Sequence, residues 1–371
     1  MSVKPDVIII GGGIIGLSIA WFLANQGASV TVLERGSPGS GASGAAAGML
    51  APFAESEHGG AFVNLGQRSL EMYDSFIDEI NNSVSISIVN NSPGLLRVAT
   101  DQKEFDALKG LFDNQQSSIH HFRLLDAQEI RQLEPHLSQS IIGGLHSPLE
   151  KQIDPRTLCH ALSLALQNQG VRILEHCNVT DIQRTEDKAV SISANGQQYS
   201  FENLVIAGGA WTTELGDYLG VHLPVKPIKG QILSLQTETN SLSHTIYGSK
   251  GYIVPRSDGR IVIGATVEDV GFDLDVDVNG ILQLIVIGQQ YLQDIGSAKV
   301  LDSWAGLRPA SPDGMPILGK VPTFTNAFVA TGHYRNGILL APVTGKLIAD
   351  LTLNRVADAL LQPFSPDRFA N

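Results

Sequence analysis

The chain has 371 residues, enough for two or three domains, and 43% of them are hydrophobic, enough for a sizeable core. Its net charge of −12 argues against nucleic acid or an anionic membrane as partner. The two cysteines, Cys159 and Cys177, form no C-x-x-C pair, and the ten histidines contain no H-E-x-x-H. This disfavours a disulfide reductase and a zinc enzyme, and it fits a reducing cytoplasm. A serine hydrolase has no support either, because there is no G-x-S-x-G elbow.

The first elements carry the clearest pattern. Val7-Ile8-Ile9-Ile10 reads as a strand, and Gly11, Gly13 and Gly16 fit the G-x-G-x-x-G spacing. A helical run follows to Gly27, and a second strand, Ser29 to Leu33, ends at Glu34, 18 positions after Gly16. Strand, glycines, helix and acid together predict a dinucleotide site. Gly11 permits the tight turn, Gly13 lets the backbone approach a pyrophosphate, and Gly16 lets the helix pack on the strand. The helix N-terminus offers N–H groups and partial positive charge to phosphates, while Glu34 can accept hydrogen bonds from a ribose. Residues 7 to 24 carry no charge and so resemble a membrane span or a signal peptide. A spanning helix wants about 20 apolar residues, and three consecutive glycines suit it poorly. A signal peptide wants a basic start and a small-residue cleavage site, whereas here Asp6 follows Lys4.

Next, Ser37 to Met49 is rich in small residues. Its first half reads as loop, and its second half can begin a helix and let a flat ligand lie near the backbone. Phe62 to Ile80 reads as an amphipathic helix. Residues 84 to 100 read as strands, marked by Ile86 and Ile88 and then by Leu95, Leu96 and Val98. Asp154-Pro155-Arg156 caps a helix that Gly170 ends. Strands are expected at 171–173, 190–192, 204–207, 232–235, 252–254 and 261–263, and a helix at 278–292. Gly208-Gly209-Ala210 marks a second place where backbone passes close to a cofactor. The C-terminal part repeats strand, glycine and helix: Ala327 to Ala330, then Thr331 to Gly337, then a helix to about Leu353. The predicted fold class is α/β. A Rossmann-like cofactor domain (1–82, 143–222 and 303–371) is left and re-entered by the chain, and an antiparallel β-rich substrate domain (83–142 and 223–302) is inserted in it.

These motifs resemble those of the FAD-dependent amine oxidases of the D-amino-acid oxidase superfamily, and within it the bacterial glycine oxidases. The similarity spans essentially the whole chain. It rests on Ile8 to Gly16, Ala45 to Leu50, Gly251 to Arg256, Trp304 to Pro309 and Gly332 to Pro342. The resemblance implies FAD contacts at Ile14, Ile15, Glu34, Arg35, Ala47, Gly48, Met49 and Val179. It implies further contacts through the loop of His333, Tyr334, Arg335, Asn336, Gly337, Ile338 and Leu339. Some members hold flavin through a cysteine near Ser311 to Pro316. None stands there, so the flavin is expected to be noncovalent, and glycine oxidase fits better than monomeric sarcosine oxidase.

A small amino acid presents a carboxylate and an amine. The planar fork of Arg308 matches a carboxylate. From the residues alone, an interior salt bridge is equally open to Arg308, and the family motif favours substrate. Tyr252, in an alternating strand, can add a hydroxyl hydrogen bond, and Arg335 can support the flavin or the bound anion. Arg308, Tyr252 and Arg335 are the candidate catalytic residues. Lys250 stands where relatives often have histidine, and Val267 where some have methionine. Both departures bear on pocket size and charge. The implied reaction is hydride transfer from the α-carbon of glycine, sarcosine or D-alanine to flavin N5. Dioxygen would become hydrogen peroxide, and the imine would hydrolyse to glyoxylate and ammonia or feed thiamine thiazole synthesis. A D-amino-acid or sarcosine oxidase or dehydrogenase is the alternative, and a non-catalytic flavin-binding protein is another. The resemblance also implies a homo-oligomer, with a tetramer as the form to test.

Overall fold

The computed structural model of the chain describes residues 4–54, 60–90, 93–115, 121–237, 242–354 and 356–369. Two sheets organise them. The first has six strands in the order Ile317–Lys320, Ala327–Thr331, Asn203–Ile206, Val7–Ile10, Val30–Leu33, Arg172–Leu174. All neighbouring pairs are parallel except the edge pair of 317–320 with 327–331. Strands 7–10 and 30–33 are buried along their whole length, as expected for a parallel sheet covered on both faces. Val7 and Ile9 pack toward the helices Ile14–Asn25, Ala61–Asn81, Pro155–Asn168 and Ala341–Asn354. Ile8 and Ile10 pack the other way, against the meander Val179–Arg184, Ala189–Ala194, Gln197–Ser200 and the helix Thr212–Leu219. The alternation of a strand thus builds three layers from one apolar run.

The second sheet has eight strands in the order Lys299–Ala310, Lys226–Gln236, Arg260–Gly264, Gly251–Pro255, Thr245–Gly248, Leu95–Ala99, Gly143–Ser147, Arg123–Asp126. It is antiparallel apart from the parallel pair of 245–248 with 95–99. The helix Val278–Tyr291 packs on it, burying Leu284, Ile287 and Tyr291. Its Asp277 cap accepts from the backbone N of Gly280 at 3.0 Å. Among the described residues no helix is long and apolar enough to cross a membrane.

Several expectations need correction. Strand 143–147 pairs with 95–99 and 123–126 in the eight-stranded sheet, so it does not open the return to the nucleotide sheet. Strand 299–310 pairs with 226–236 along its length, so position 303 lies inside a strand. Residues 84–90 form no strand. The Asn81 side chain takes the place of a ladder there, accepting from Ile88 N at 2.8 Å and donating to Ile88 O at 3.2 Å. Buried Ile88 joins the core of the nucleotide side. The helix of the small-residue segment is a single turn, Ala42–Ala45, and ends before Ala47.

Candidate active site

The six-stranded sheet reverses its order at Val7–Ile10, since strands 30–33 and 172–174 lie on one side and 203–206 and 327–331 on the other. Ligand clefts of open α/β sheets form at such a switch point, beyond the carboxyl ends of the strands. A cavity of about 520 Å³ lies there, lined by Ile10, Leu33, Ala207 and Thr331 from the strand ends. The turn after the first strand explains two of its glycines by space alone. Gly11 has φ +108°, and a Cβ on it would meet Ala207 O at 2.3 Å. A Cβ on Gly16 would meet Gly11 O at 1.9 Å. Gly13 faces the cleft and stands at the N-cap of the helix 14–25, with no side chain of its own to cap it.

That helix carries no acid in its first turn, so its positive end is available to an anion in the cleft. Ser43 Oγ accepts from Ile14 N at 2.9 Å. Glu34 accepts from Gly12 N at 2.6 Å and from Gly36 N at 2.7 Å. The acid therefore clamps the glycine turn as well as facing the cleft. Beside it the Arg35 guanidinium lies 3.3 Å from the centroid of the Trp211 ring, which stacks on Phe272 at 5.2 Å. The far wall is the loop from His333. His333 is 3% exposed, and burial pushes its pKa down to about 3, so its ring is neutral. Tyr334 N donates to Pro309 O at 2.9 Å, and Asn336 N to His333 O at 2.8 Å. Ser69 Oγ donates to Leu339 O at 2.6 Å, and the Tyr73 hydroxyl donates to Ile338 O. The helix 61–81 thus holds the late loop against the early turn.

A pocket of about 60 Å³ adjoins the cleft, sharing Ala42, Ala46, Tyr334, Arg335 and Ile338 as walls. Its own lining adds Ala47, Gly48, Met49, Ile232, Tyr252 and Arg308. Arg308 comes from strand 299–310 and Tyr252 from strand 251–255 of the other sheet. Arg308 Nη1 donates to Thr266 O at 3.1 Å and to Lys229 O at 3.3 Å. It pairs with no carboxylate among the described residues, so the interior salt bridge left open by the sequence is absent there. Space for the guanidinium comes from Gly230, where a Cβ would lie 2.2 Å from Nη2. Gly264 clears the Tyr252 ring in the same way, at 2.4 Å. Arg335 lies 5.6 Å from the centroid of the Tyr334 ring. Two guanidinium groups and a phenol in an otherwise apolar space suit a small carboxylate.

Most of the expected site residues come together. Gly11, Gly13, Ile14, Ile15, Glu34, Arg35, Val179, His333, Tyr334, Arg335, Gly337 and Ile338 line the cleft. Ala47, Gly48, Met49, Tyr252 and Arg308 line the small pocket. Gly16, Asn336 and Leu339 line neither cavity and shape the turns behind them. Lys250 and Val267 are exposed and line neither cavity, so the two departures expected to alter the pocket do not reach its wall. Sequence reasoning missed Gly230 and Gly264, although a glycine inside a strand signals close approach of another group. It also missed Ser43, Trp211 and Thr331, which no local pattern distinguishes.

A sequence model described as FAD dependent oxidoreductase matches residues 6–351. The chain is 35% identical over 370 residues to the glycine oxidase of Geobacillus kaustophilus, covering 99% of this chain and 98% of that one. The crystal structure of that enzyme superposes with a TM-score of 0.93 over 98% of both chains. The bifunctional protein ThiO/ThiG of Synechocystis is 36% identical over 376 residues, which is all of this chain and 55% of that protein. The cleft fits one FAD: a glycine turn, a helix with no acid in its first turn, an acid at the end of the second strand and a second, distant loop closing the far wall. With the match along nearly its whole length, the chain belongs to the family of FAD-dependent oxidoreductases.

Proposed function

We propose that this enzyme oxidises small α-amino carboxylates, with glycine and sarcosine favoured and D-alanine accepted. The observation that carries this reading is Arg308, held by two carbonyls and no described carboxylate, on the wall of a small pocket that opens into the dinucleotide cleft. Arg308 grips the substrate carboxylate as a fork, and Tyr252 adds a hydroxyl donor. Arg335 supports the anion from the cleft side. The described residues lining the pocket include no acid, so nothing there stabilises an ammonium beside the two guanidinium groups. The amine therefore reacts in its neutral form. Met49, Ile232 and Ile338 exclude water from the α-carbon and leave little room for a side chain.

FAD held in the cleft would supply the oxidation, with the α-carbon as hydride donor, dioxygen as the final electron acceptor and hydrogen peroxide as a product. The imine product is hydrolysed to glyoxylate and ammonia. The match to a bifunctional ThiO/ThiG protein supports delivery of the imine to thiamine thiazole synthesis. Cys159 and Cys177 lie outside the segment Ser311 to Pro316, which supports a noncovalent flavin. The six-stranded sheet and its layers act as the cofactor domain, and the eight-stranded sheet carries the substrate residues. A homo-oligomer, tetrameric in form, working in the cytoplasm completes the reading.

Oxygen uptake and peroxide formation by the purified holoenzyme test it with glycine, sarcosine, D-alanine, D-proline and L-alanine at equal concentration. Glycine and sarcosine should be turned over fastest and L-alanine least. L-alanine above D-alanine would overturn the assigned substrate orientation, and no turnover of any small amino acid would overturn the oxidase reading.

A further inference from the structure

Behind Arg308, on the opposite face of its sheet, lies a charge cluster that the reaction does not use. Along strand 226–236, Gly230 lies under the guanidinium, and its neighbours Lys229 and Gln231 point the other way. Both are buried, at 2% and 0% exposure. The Lys229 ammonium sits 2.7 Å from Asp273 Oδ2, 3.5 Å from Glu268 Oε2 and 3.9 Å from Asp277 Oδ2. Gln231 Nε2 donates to Glu268 at 3.0 Å and to Asp277 at 2.7 Å, and Asp277 N donates back to Gln231 Oε1 at 3.0 Å. All three acids belong to one strap, residues 265–277, which connects strand 260–264 to helix 278–291.

The strap is tied to strand 226–236 by backbone as well. Lys229 N donates to Glu268 O at 2.9 Å, and Glu268 N donates to Lys229 O at 3.0 Å. Gln231 N donates to Thr266 Oγ1 at 2.8 Å. The two carbonyls that orient Arg308 are those of Lys229 and Thr266, so one comes from the strand and one from the strap. The Lys229 carbonyl accepts from the strap and from Arg308 at once, which its two lone pairs allow.

We infer that Lys229 is a positioning residue for substrate capture. By gathering Glu268, Asp273 and Asp277 it seats the strap, and the seated strap fixes the second carbonyl that aims Arg308 into the pocket. Without the ammonium, three carboxylates would be left close together, and the strap carrying Thr266 would move away from the strand. This inference rests on the reading of Arg308 as the carboxylate clamp.

Acetate tests it, because acetate offers the carboxylate and no amine to oxidise. It is titrated into the holoenzyme while the flavin absorbance is followed, beside KM and kcat for glycine. Lys229→Met should weaken acetate and raise KM by about 3- to 30-fold, the range of coupling through packed neighbours. The value of kcat should stay unchanged, as expected when only uniform binding is lost. Lys229→Arg should restore most of the affinity. Lys229→Met placed on an Arg308→Ala background should cost nothing further, because both changes remove one interaction. Asp273→Asn, at the nearest carboxylate, should shift acetate affinity in the same direction and decides the matter if Lys229→Met does not fold. Unchanged acetate affinity in a folded Lys229→Met holoenzyme would overturn the inference, as would additive losses in the double variant. If Arg308→Ala itself left acetate binding intact, the clamp reading would fail first; if only Arg308→Ala weakened it, the positioning role alone would fail.

Discussion

The dinucleotide cleft and the small pocket beside it share five wall residues but are built differently. In the cleft the early turn presents main chain: a helix end, a glycine facing the ligand and a backbone loop clamped by Glu34. In the pocket the ligand meets side chains, and their positions depend on glycines that stand aside, Gly230 for Arg308 and Gly264 for Tyr252. Main-chain recognition tolerates changes of side chain, whereas the guanidinium site depends on neighbours on several strands. Variation in substrate is therefore expected to arise at the pocket, with the cleft left alone.

The largest expected effect separates the two regions. Arg308→Ala should leave FAD bound and weaken the amino acid by about 2–5 kcal/mol, the cost of stranding a buried charge partner. That is roughly thirty-fold to several-thousand-fold in KM. Flavin absorbance after gel filtration and steady-state kinetics check both halves, and loss of flavin would show that the regions are not separable.

Glu34→Ala is the converse. It removes two charge-assisted hydrogen bonds to the turn and the acceptor proposed for the ribose, and it should weaken FAD by about 1–3 kcal/mol. KM for glycine in FAD-saturated enzyme should stay unchanged. A titration of apoprotein with FAD measures the first, and a raised KM under saturation would break the comparison.

Gly230→Ala sharpens the comparison inside the pocket. The added methyl occupies the place of Nη2, and overpacking of this kind costs about 1–3 kcal/mol. Here it should appear mainly as a higher KM, with the melting temperature little changed, because the guanidinium can give way. A fall in melting temperature with normal KM would show that the strand moves instead.

The smallest effect concerns pH. Glu150 is fully buried and accepts from Phe53 N and Ala54 N at 2.8 and 2.9 Å. Burial raises its pKa from 4.5 to about 7. Between those values the folded protein holds a proton that the unfolded chain has lost, so stability from this group falls as pH rises through that window. Glu150→Gln keeps the acceptor and removes the titration. The stability of the variant relative to the parent should therefore climb from pH 4.5 to 7, by at most about 1.4 kcal/mol per pH unit. A constant difference between the two melting profiles would place the Glu150 titration elsewhere.

The same contrast explains what could be read in advance. The turn from Val7 to Glu34 is continuous in sequence, and each of its glycines sits at a fixed offset from a strand end, so the cofactor side was legible. Arg308 was found through its motif, but its two carbonyl partners lie 79 and 42 positions away. Nothing in a linear pattern announces that pairing. The strand expected at 84–90 failed for a related reason. Its apolar alternation was real, since Ile88 is buried, but the Asn81 side chain satisfies the Ile88 backbone in place of a partner strand. Strand 143–147 carries two glycines and little alternation, so only its pairing with 95–99 and 123–126 reveals its sheet.

Both cysteines have a bearing on how long the catalyst lasts. An oxidase of the proposed kind releases peroxide beside its own interior, and peroxide attacks thiolates far faster than thiols. Cys177 lies on the wall of the cleft but is 4% exposed, and burial raises its pKa. Cys159 is 2% exposed and is pushed up to about 12. Neither offers the anion that would be consumed, so the fold keeps its sulfur in the form that its own by-product attacks most slowly.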